Sequence, residues 1–285
     1  MILIADGGST KCDWILLDTT GKEVLRTQTK GLNPTVLSPE EIRKRIDENS
    51  ELLDKCEKVT ILDFYGAGCG TPKPVDRLKE VLSDVFSAAT ITIGEDLMAA
   101  VYALTTSPAI VCILGTGSNS CYYDGSEIHS PIPSLGYMIM DEASGNYFGK
   151  QLIRDYYYER MPKKLSDRFS KKYNLAADEI KMHLYHRPNP NMYLASFAEF
   201  LFTVDDRDGY IQKMLTEAFQ TFIEIRILCF EEARKLPVHF VGSIAYFSEN
   251  FIRERMAANN LTMGNVIRRP IDGLIEYYRN NKITQ

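Results

Sequence analysis

Hydrophobic and polar positions alternate with strand-like and helical periods in a regular order over the first hundred residues. Three consecutive strands are predicted first, and strands and helices then alternate. The predicted elements are, in order, strands at 2–5, 14–17 and 22–29, a helix at 38–56, a strand at 59–65, a helix at 74–86, a strand at 90–93 and a helix at 95–104. The first half of the chain therefore predicts a βββαβαβα unit.

The same pattern starts again at residue 109. An apolar strand at 109–114 leads through a glycine-bearing loop into a second strand, a turn and a short third strand. Placing Gly8-Ser9 over Gly117-Ser118 also places Cys12 over Cys121, although the second hairpin is the shorter one. A duplicated loop is a more specific signal than either copy.

A long helical stretch at about 142–235 interrupts the second copy, and strand character returns at 238–241. Gly242-Ser243 then opens a helix, followed by a strand at 265–268 and a last helix to about residue 280. With the insertion set aside, the second half also predicts βββαβαβα. We expect an N-terminal domain at 1–107 and a C-terminal domain at 108–285.

Composition narrows the class of protein. Of the 285 residues, 45% are hydrophobic and 25% are charged, with a net charge of −5, which is typical of a globular domain and argues against a polyanion partner such as nucleic acid. No apolar run approaches the roughly 20 residues that cross a bilayer, and the sequence opens on a predicted strand and not on a charged, then apolar, cleavable segment, so we expect no secretory leader. We expect a cytoplasmic protein without a membrane partner.

The loop Asp6-Gly7-Gly8-Ser9-Thr10 is the first candidate binding element. Glycines let the backbone approach a ligand closely, and successive N–H groups in such a turn bind anions, phosphate in particular. Two glycines between strands also make an ordinary hairpin, and Asp6 is equally consistent with a hydrogen-bonded loop residue. The recurrence of the loop at 115–119 favours phosphate binding.

Several motifs together resemble the N-acetylglucosamine kinase and activator-ATPase family, also called the BadF/BadG/BcrA/BcrD ATPases. This family lies within the superfamily of acetate and sugar kinases, heat-shock chaperones and actin. The motifs are DGGSTKCDW at 6–14, GLNP at 31–34, GEDLMAA at 94–100, LGTGSN at 114–119, LGYMIMDEASG at 135–145 and VGS at 241–243. The resemblance implies two ribonuclease-H-like, actin-like ATPase domains flanking a cleft, with ATP and Mg²⁺ as cofactors.

By the same resemblance, two glycine loops and a third segment bind ATP. The implied ATP-binding residues are Gly7, Gly8, Ser9, Thr10, Lys11, Gly115, Thr116, Gly117, Ser118, Gly242 and Ser243. Asp6 is implied to lie near Mg²⁺, because a carboxylate beside phosphates requires a cation to offset the repulsion.

Asp96 is the implied catalytic base, which accepts the proton of the sugar hydroxyl during phosphoryl transfer. Without the resemblance, Asp96 would be an acid in the first turn of a helix, where the helix dipole favours it. The neighbouring Glu95 is the alternative base, since a register error of one residue would exchange the two.

The resemblance also implies a sugar site. Asn33 and Asp141 would bind hydroxyl groups with Asp96, and Ser134, Leu135 and Gly136 would line the pocket. A turn asparagine and a helix cap are the alternative roles of Asn33 and Asp141. The tryptophan of the vertebrate Gly-Trp-Gly motif is replaced here by Leu135, which leaves the identity of the sugar open.

We therefore predict a sugar kinase that phosphorylates an amino sugar, with N-acetylglucosamine as the first candidate and glucosamine or N-acetylmuramic acid as alternatives. A different class, an ATPase that activates a partner dehydratase through a shared iron–sulfur cluster, remains open, although the six cysteines form no closely spaced pair. The aromatic run 156–158 in the helical insertion is consistent with a homodimer.

Overall fold

Two compact units make up the protein. A computed structural model describes residues 1–8, 10–204 and 209–283. Unit 1 contains residues 1–106 together with the C-terminal segment that begins at Arg269, and unit 2 contains residues 107–268. Each unit has a five-stranded mixed sheet.

The sheet of unit 1 has the strand order β3-β2-β1-β4-β5. Its strands are β1 (Ile2–Gly7), β2 (Lys11–Leu17), β3 (Glu23–Lys30), β4 (Ile61–Gly66) and β5 (Thr90–Glu95), and its first helices are α1 (Pro39–Asp47), α2 (Ser50–Leu53), α3 (Pro72–Val85) and α4 (Asp96–Leu104). β1, β2 and β3 are antiparallel, whereas β1, β4 and β5 run parallel. The carboxyl ends of these three parallel strands therefore lie at one edge of the sheet.

An aromatic cluster fills the core of unit 1. The Trp14 ring lies 6.1 Å from both the Phe64 and the Phe86 ring centroids, and all three side chains are fully buried. The indole N–H of Trp14 donates to Thr29 Oγ1 at 3.0 Å, so the only tryptophan has both its apolar body and its polar atom satisfied.

The sheet of unit 2 has the order β10-β9-β6-β7-β8. Its strands are β6 (Ala109–Leu114), β7 (Ser118–Tyr123), β8 (Ile128–His129), β9 (Pro237–Val241) and β10 (Thr262–Ile267). The central positions of β1 in one sheet and β6 in the other, each followed by an antiparallel hairpin, match the predicted duplication. The predicted α/β class with a helical insertion in the second copy is confirmed.

Most helices of unit 2 lie between β8 and β9, as predicted. They are α5 (Gly145–Tyr157), α6 (Lys163–Lys172), α7 (Ala177–Tyr185), α8 (Pro190–Ser196), α9 (Phe200–Thr203) and α10 (Tyr210–Phe222), while α11 (Ser243–Phe247) and α12 (Glu249–Ala258) follow β9. Buried aromatic side chains such as Phe148, Phe169 and Phe219 join the inserted helices to β6 in one core. α10 continues as a π-helical turn at Ile223–Ile227.

The last α-helix, α13 (Pro270–Tyr278), belongs to unit 1 and continues as a π-helical turn at Arg279–Ile283. It packs against α4, where a Cβ on Gly273 would lie 2.3 Å from the Ala103 carbonyl oxygen. The Tyr278 hydroxyl donates to Asp63 Oδ2 at 2.5 Å and lies 2.8 Å from the Tyr65 hydroxyl. This grouping differs from the sequence-based division, which assigned residues 108–285 to one domain, because long-range packing of α13 leaves no local signal.

Among the described residues, no helix has both the length and the apolar character needed to cross a membrane.

Candidate functional site

The parallel strands of unit 1 bring three loops to one edge of the sheet. Gly7 at the end of β1 pairs with Gly66 at the end of β4, and Gly66 pairs with Glu95 at the end of β5. The glycine loop after β1, the loop after β4 and the start of α4 therefore leave the sheet side by side. Loops at the carboxyl ends of parallel strands are the usual position of ligand sites in α/β sheets.

Close packing explains the glycine at the start of the first loop. A Cβ on Gly7 would lie 2.3 Å from the Phe64 ring, and a Cβ on Gly8 would lie 3.2 Å from the Lys11 carbonyl oxygen. The Gly7 carbonyl accepts from the Ala67 N–H at 2.9 Å, which joins this loop to the loop after β4. Thr10 is exposed, and Ser9 lies outside the described residues.

Asp6 has an unusual electrostatic environment. The pKa of its carboxyl is raised from 3.8 to about 7, chiefly by burial, although part of the residue reaches the surface. The negative charges of Asp13 and Asp96 raise this pKa further, and Lys11 opposes them. Asp13 lies directly across from Asp6 in the β1–β2 register, and the sequence pattern did not indicate its importance.

Lys11 and Gln28 hold the Asp13 carboxylate. Lys11 Nζ forms an ion pair with Asp13 Oδ2 at 2.5 Å, and the Gln28 side-chain amide donates to Asp13 Oδ1. Asp13 is thus a satisfied, buried carboxylate, whereas Asp6 carries the electrostatic cost of the cluster. A cation bound beside Asp6 would remove this cost.

α4 begins at Asp96, one position later than predicted. Glu95 is the residue directly before the helix. Asp96 is partly buried and Glu95 is exposed. Burial raises the pKa of the Cys69 thiol to about 12, and the nearby charges of Asp96 and then Glu95 raise it further. The influence of Asp96 on both Asp6 and Cys69 means that the structure brings Asp96 to the loops after β1 and β4.

Asn33 lies against the loop after β4. Its Oδ1 accepts from the Thr35 N–H at 2.9 Å, and the Thr35 hydroxyl donates to the Gly68 carbonyl at 3.1 Å. Gly68 has φ +83°, and a Cβ there would lie 2.1 Å from Asn33 Oδ1. Asn33 therefore has the hydrogen bond of a turn asparagine and also lies near the candidate site. It contacts the loop that contains Cys69.

Whether the site fits the implied Mg²⁺ depends on Asp6, Asp13 and Asp96. Among residues 1–8, 10–204 and 209–283, no three Asp, Glu, His or Cys side chains form a ready metal cluster. Mg²⁺ usually retains several waters and binds through one or two carboxylates plus substrate phosphates. A single high-pKa carboxyl, Asp6, beside a glycine loop fits that mode of binding.

The second glycine loop, in unit 2, is closed by backbone hydrogen bonds. The Gly115 N–H donates to the Gly117 carbonyl at 2.9 Å, and the N–H groups of Gly145 and Asn146 donate to the carbonyls of Gly115 and Thr116 at 2.8 and 3.0 Å. Gly145 and Asn146 begin α5, whose cap Ser144 accepts from the Tyr147 N–H. The start of α5 therefore holds this loop.

Asp141 is buried against the same loop. Its Oδ1 accepts from the Ser118 N–H at 3.2 Å, and its Oδ2 accepts from Asn146 Nδ2 at 2.8 Å. A Cβ on Gly117 would lie 2.8 Å from Asp141 Oδ2, so a larger residue there would displace the carboxylate. The structure thus places Asp141 with the second glycine loop, and its sugar-binding role stays a prediction.

The segment Ser134-Leu135-Gly136 lies in an exposed turn before Asp141. The Met140 N–H donates to the Gly136 carbonyl at 2.9 Å, and Gly136 has φ +80°. Leu135 is 57% exposed, so the residue in the position of the missing tryptophan does not pack into the core.

Gly242 brings the third implied ATP-binding segment to the second glycine loop. It has φ +123° and ψ 164°, and a Cβ there would lie 2.2 Å from the Leu114 carbonyl oxygen. Ser243 begins α11 directly afterwards. The structure therefore collects residues 115–118, Asp141 and Gly242 within unit 2.

We expect Gly242→Ala to lower the free energy of unfolding by about 3 kcal/mol or more, because an essentially glycine-only conformation and a backbone clash act together. Urea unfolding of the purified variant measures this. Gly136→Ala is the matched control, since Gly136 also has a positive φ but has no atom within 4 Å of its would-be Cβ. Equal losses for the two variants would contradict the clash at Leu114.

Several solved structures are similar to this chain over nearly its whole length. The structure of a putative N-acetylglucosamine kinase from Porphyromonas gingivalis is 36% identical in sequence and has a TM-score of 0.89. The match covers 99% of this chain and 99% of that one. A second protein described in the same words, from Chromobacterium violaceum, is 15% identical with a TM-score of 0.73 over 97% of this chain and 98% of its own. A ROK family glucokinase from Streptomyces griseus, in complex with glucose and AMPPNP, is 11% identical with a TM-score of 0.60 over 96% and 97%.

The last two similarities concern the fold alone, whereas the first extends to the sequence. No protein-family model matches the chain, and no curated protein sequence does so either. This similarity to the Porphyromonas protein points to the same family as the sequence motifs and the two duplicated units do. This chain therefore belongs to the N-acetylglucosamine kinase family, a group of sugar kinases with the actin-like ATPase fold.

Proposed function

We propose that the protein is an ATP-dependent kinase that phosphorylates an amino sugar, N-acetylglucosamine, at its 6-hydroxyl. The observation that carries this proposal is the acidic cluster at the strand ends of unit 1. There the pKa of Asp6 is raised to about 7 by burial and by the charges of Asp13 and Asp96, beside a glycine loop. Such a cluster is costly for the protein alone, and a divalent cation with a phosphate ligand would relieve it.

In this proposal, Asp6 holds Mg²⁺ together with water and the ATP phosphates. When bound there, Mg²⁺ would supply charge neutralisation for the phosphates and for the leaving group. Backbone N–H groups of residues 7–10 and 115–118 bind phosphate oxygens, with Lys11 nearby, and Gly242 and Ser243 bind the nucleoside. The close approach of Gly242 to Leu114 supports a shared role for these two segments of unit 2.

Asp96 acts as the general base. Its carboxylate accepts the proton of the sugar 6-hydroxyl while the oxygen attacks the γ-phosphorus, and the bond from that phosphorus to the β–γ bridging oxygen breaks to release ADP. Asp96 is partly buried and Glu95 is exposed, which favours Asp96 as the positioned group.

Asn33, Asp141 and the segment 134–136 are proposed to bind the sugar. Asp141 already accepts two protein hydrogen bonds, but each carboxylate oxygen accepts more than one, so a sugar hydroxyl can still donate to it. The description of the 36% identical relative as a putative N-acetylglucosamine kinase supports this sugar over glucosamine and N-acetylmuramic acid.

The test is an ADP-release assay with ATP, Mg²⁺ and a panel of N-acetylglucosamine, glucosamine, N-acetylmannosamine, N-acetylmuramic acid and glucose. We expect turnover to be highest with N-acetylglucosamine, and mass spectrometry of the product to show one added phosphoryl group. No sugar-dependent ADP release would contradict the kinase. In that case, iron bound to anaerobically purified protein would support the activator ATPase instead.

A further inference from the structure

Arg226 is a buried cation beside the second glycine loop. Its residue is 2% exposed, and it lies in the π-helical turn that follows α10. In the part of the chain that the structure describes, no carboxylate pairs with its guanidinium, and its Nε has no hydrogen-bond partner. Its Nη2 donates to Asn119 Oδ1 at 2.8 Å.

Burying an unpaired charge is expensive, because the surrounding protein solvates it less well than water does. The positive field of Arg226 reaches the thiols of Cys112 and Cys229, where it opposes the increase in pKa that burial causes. The Arg226 charge therefore acts on β6, the strand that leads into the glycine loop. The energetic cost of burying this charge is explained if the charge interacts with a bound ligand.

The π-helical turn joins the Arg226 backbone to β7, the strand that follows the glycine loop. A π-helical turn has i to i+5 hydrogen bonds, here from the Leu228 N–H to the Ile223 carbonyl, and such turns are frequent at functional sites. The Arg226 carbonyl accepts from the Ser120 hydroxyl at 2.7 Å. Both the side chain and the backbone of Arg226 thus contact β7.

These contacts lie directly after the loop. Asn119 and Ser120 follow Ser118, the residue at which β7 begins, and Asn119 Oδ1 also accepts from the Ser120 N–H at 2.9 Å. Arg226 and Asp141 therefore hold the start of β7 at adjacent residues, since Asp141 accepts from the Ser118 N–H. The Ser118 hydroxyl is buried without a partner among the described residues.

We infer that Arg226 is a positioning residue for nucleotide binding, which acts through Asn119 to hold the second glycine loop and adds positive potential for phosphate. The inference rests on the proposed use of ATP and goes beyond it, because Arg226 lies outside every glycine loop and sugar-binding segment. The guanidinium orders Asn119, Asn119 orders the start of β7, and the loop N–H groups are thereby fixed before the nucleotide binds. The uncompensated charge favours an anion in the same region.

The test compares Arg226→Met, which removes the charge and the donors at similar length, with Arg226→Lys, which retains the charge. Titration calorimetry with ADP and Mg²⁺ measures nucleotide affinity, and steady-state kinetics give KM for ATP and for the sugar. We expect Arg226→Met to raise the Kd for ADP and the KM for ATP about tenfold, since one charged hydrogen bond is lost, with sugar KM within about twofold. Arg226→Lys should recover part of the affinity.

Arg234→Met is the matched control, because the exposed Arg234 donates to the Asn259 carbonyl at 2.9 Å in the same unit, away from the loop. It should leave nucleotide affinity unchanged. Asn119→Ala should weaken ADP binding, and adding it to Arg226→Met should cause little further loss if Arg226 acts through Asn119.

Thermal unfolding of each variant shows whether the fold is intact. A folded Arg226→Met protein with wild-type affinity for ADP would overturn the inference, as would equal losses of nucleotide and sugar affinity. Failure of the proposed function is a separate result. A wild-type protein that binds ADP but transfers no phosphoryl group would contradict the kinase while the Arg226 comparison still stands, and a wild-type protein that binds no nucleotide would contradict both.

Discussion

Asp96→Asn is expected to lower kcat for sugar phosphorylation by about 10³-fold, which lies within the range for loss of a general base. The amide has nearly the same shape as the carboxylate but cannot accept the hydroxyl proton. Because the Asp96 charge raises the pKa of Asp6, its removal makes Asp6 easier to ionise, so binding of ATP with Mg²⁺ should persist. Initial rates and calorimetry on the same preparation measure both effects.

Glu95→Gln is the matched control for this variant. Glu95 is adjacent, acidic and exposed, and it makes no side-chain cap bond at α4. Its replacement should leave kcat within about threefold of wild type. Near-normal turnover by Asp96→Asn, combined with a large loss in Glu95→Gln, would assign the base to Glu95.

Asp6→Asn should stabilise the metal-free protein at pH 8 while it removes Mg²⁺-dependent nucleotide binding. The pKa of the Asp6 carboxyl rises from its ordinary value of 3.8 to about 7 in the folded protein. Between these values the folded state holds more protons, so the free energy of unfolding falls as pH rises through this window. The full difference corresponds to roughly 4 kcal/mol, and solvent at the partly exposed carboxyl reduces the expected gain to about 2 kcal/mol.

Urea unfolding in EDTA at pH 5 and pH 8 measures this gain, which should be larger at pH 8. Asp18→Asn is the control of opposite sign. Hydrogen bonds from the hydroxyl and N–H of Thr20 lower the pKa of Asp18, so its charge stabilises the fold above the unfolded pKa. Its replacement should therefore destabilise the protein at pH 8. A lower stability of Asp6→Asn at pH 8 would contradict the electrostatic cost assigned to Asp6.

Helix ends were harder to predict than the order of elements. The predicted helix at 38–56 divides, because α1 ends at Asp47 and the Asn49 side chain accepts from the Leu52 N–H to cap α2. Within the helical stretch predicted at about 142–235, apolar periodicity predicts one last helix over 208–235, whereas the structure has α10 and a π-helical turn that ends at Ile227. Residue 208 lies outside the described residues. Apolar spacing continues through both regions, so periodicity alone does not mark these interruptions.

Some site residues could be recognised from the sequence and others could not. Glycine loops leave a local signal, because repeated small residues between two strands are visible in sequence, and here a Cβ on Gly7 or Gly117 would clash with Phe64 or Asp141. The importance of Asp13 and Arg226 leaves none, since an acid within a strand and an arginine within a long helical stretch are ordinary in sequence. Register pairs Asp13 with Asp6, and the π-helical turn directs Arg226 to Asn119.

The order of elements, the duplicated glycine loops and the family could be read from the sequence, because periodicity, turn chemistry and motif spacing act over short stretches of chain. Which charged groups interact, and where α13 packs, became known from the folded structure. Asp96 raises the pKa of Asp6 across 90 positions of sequence, Asp141 holds the Ser118 N–H, and α13 packs on α4 in unit 1. Such interactions depend on distance and burial, which follow from the packing of remote segments.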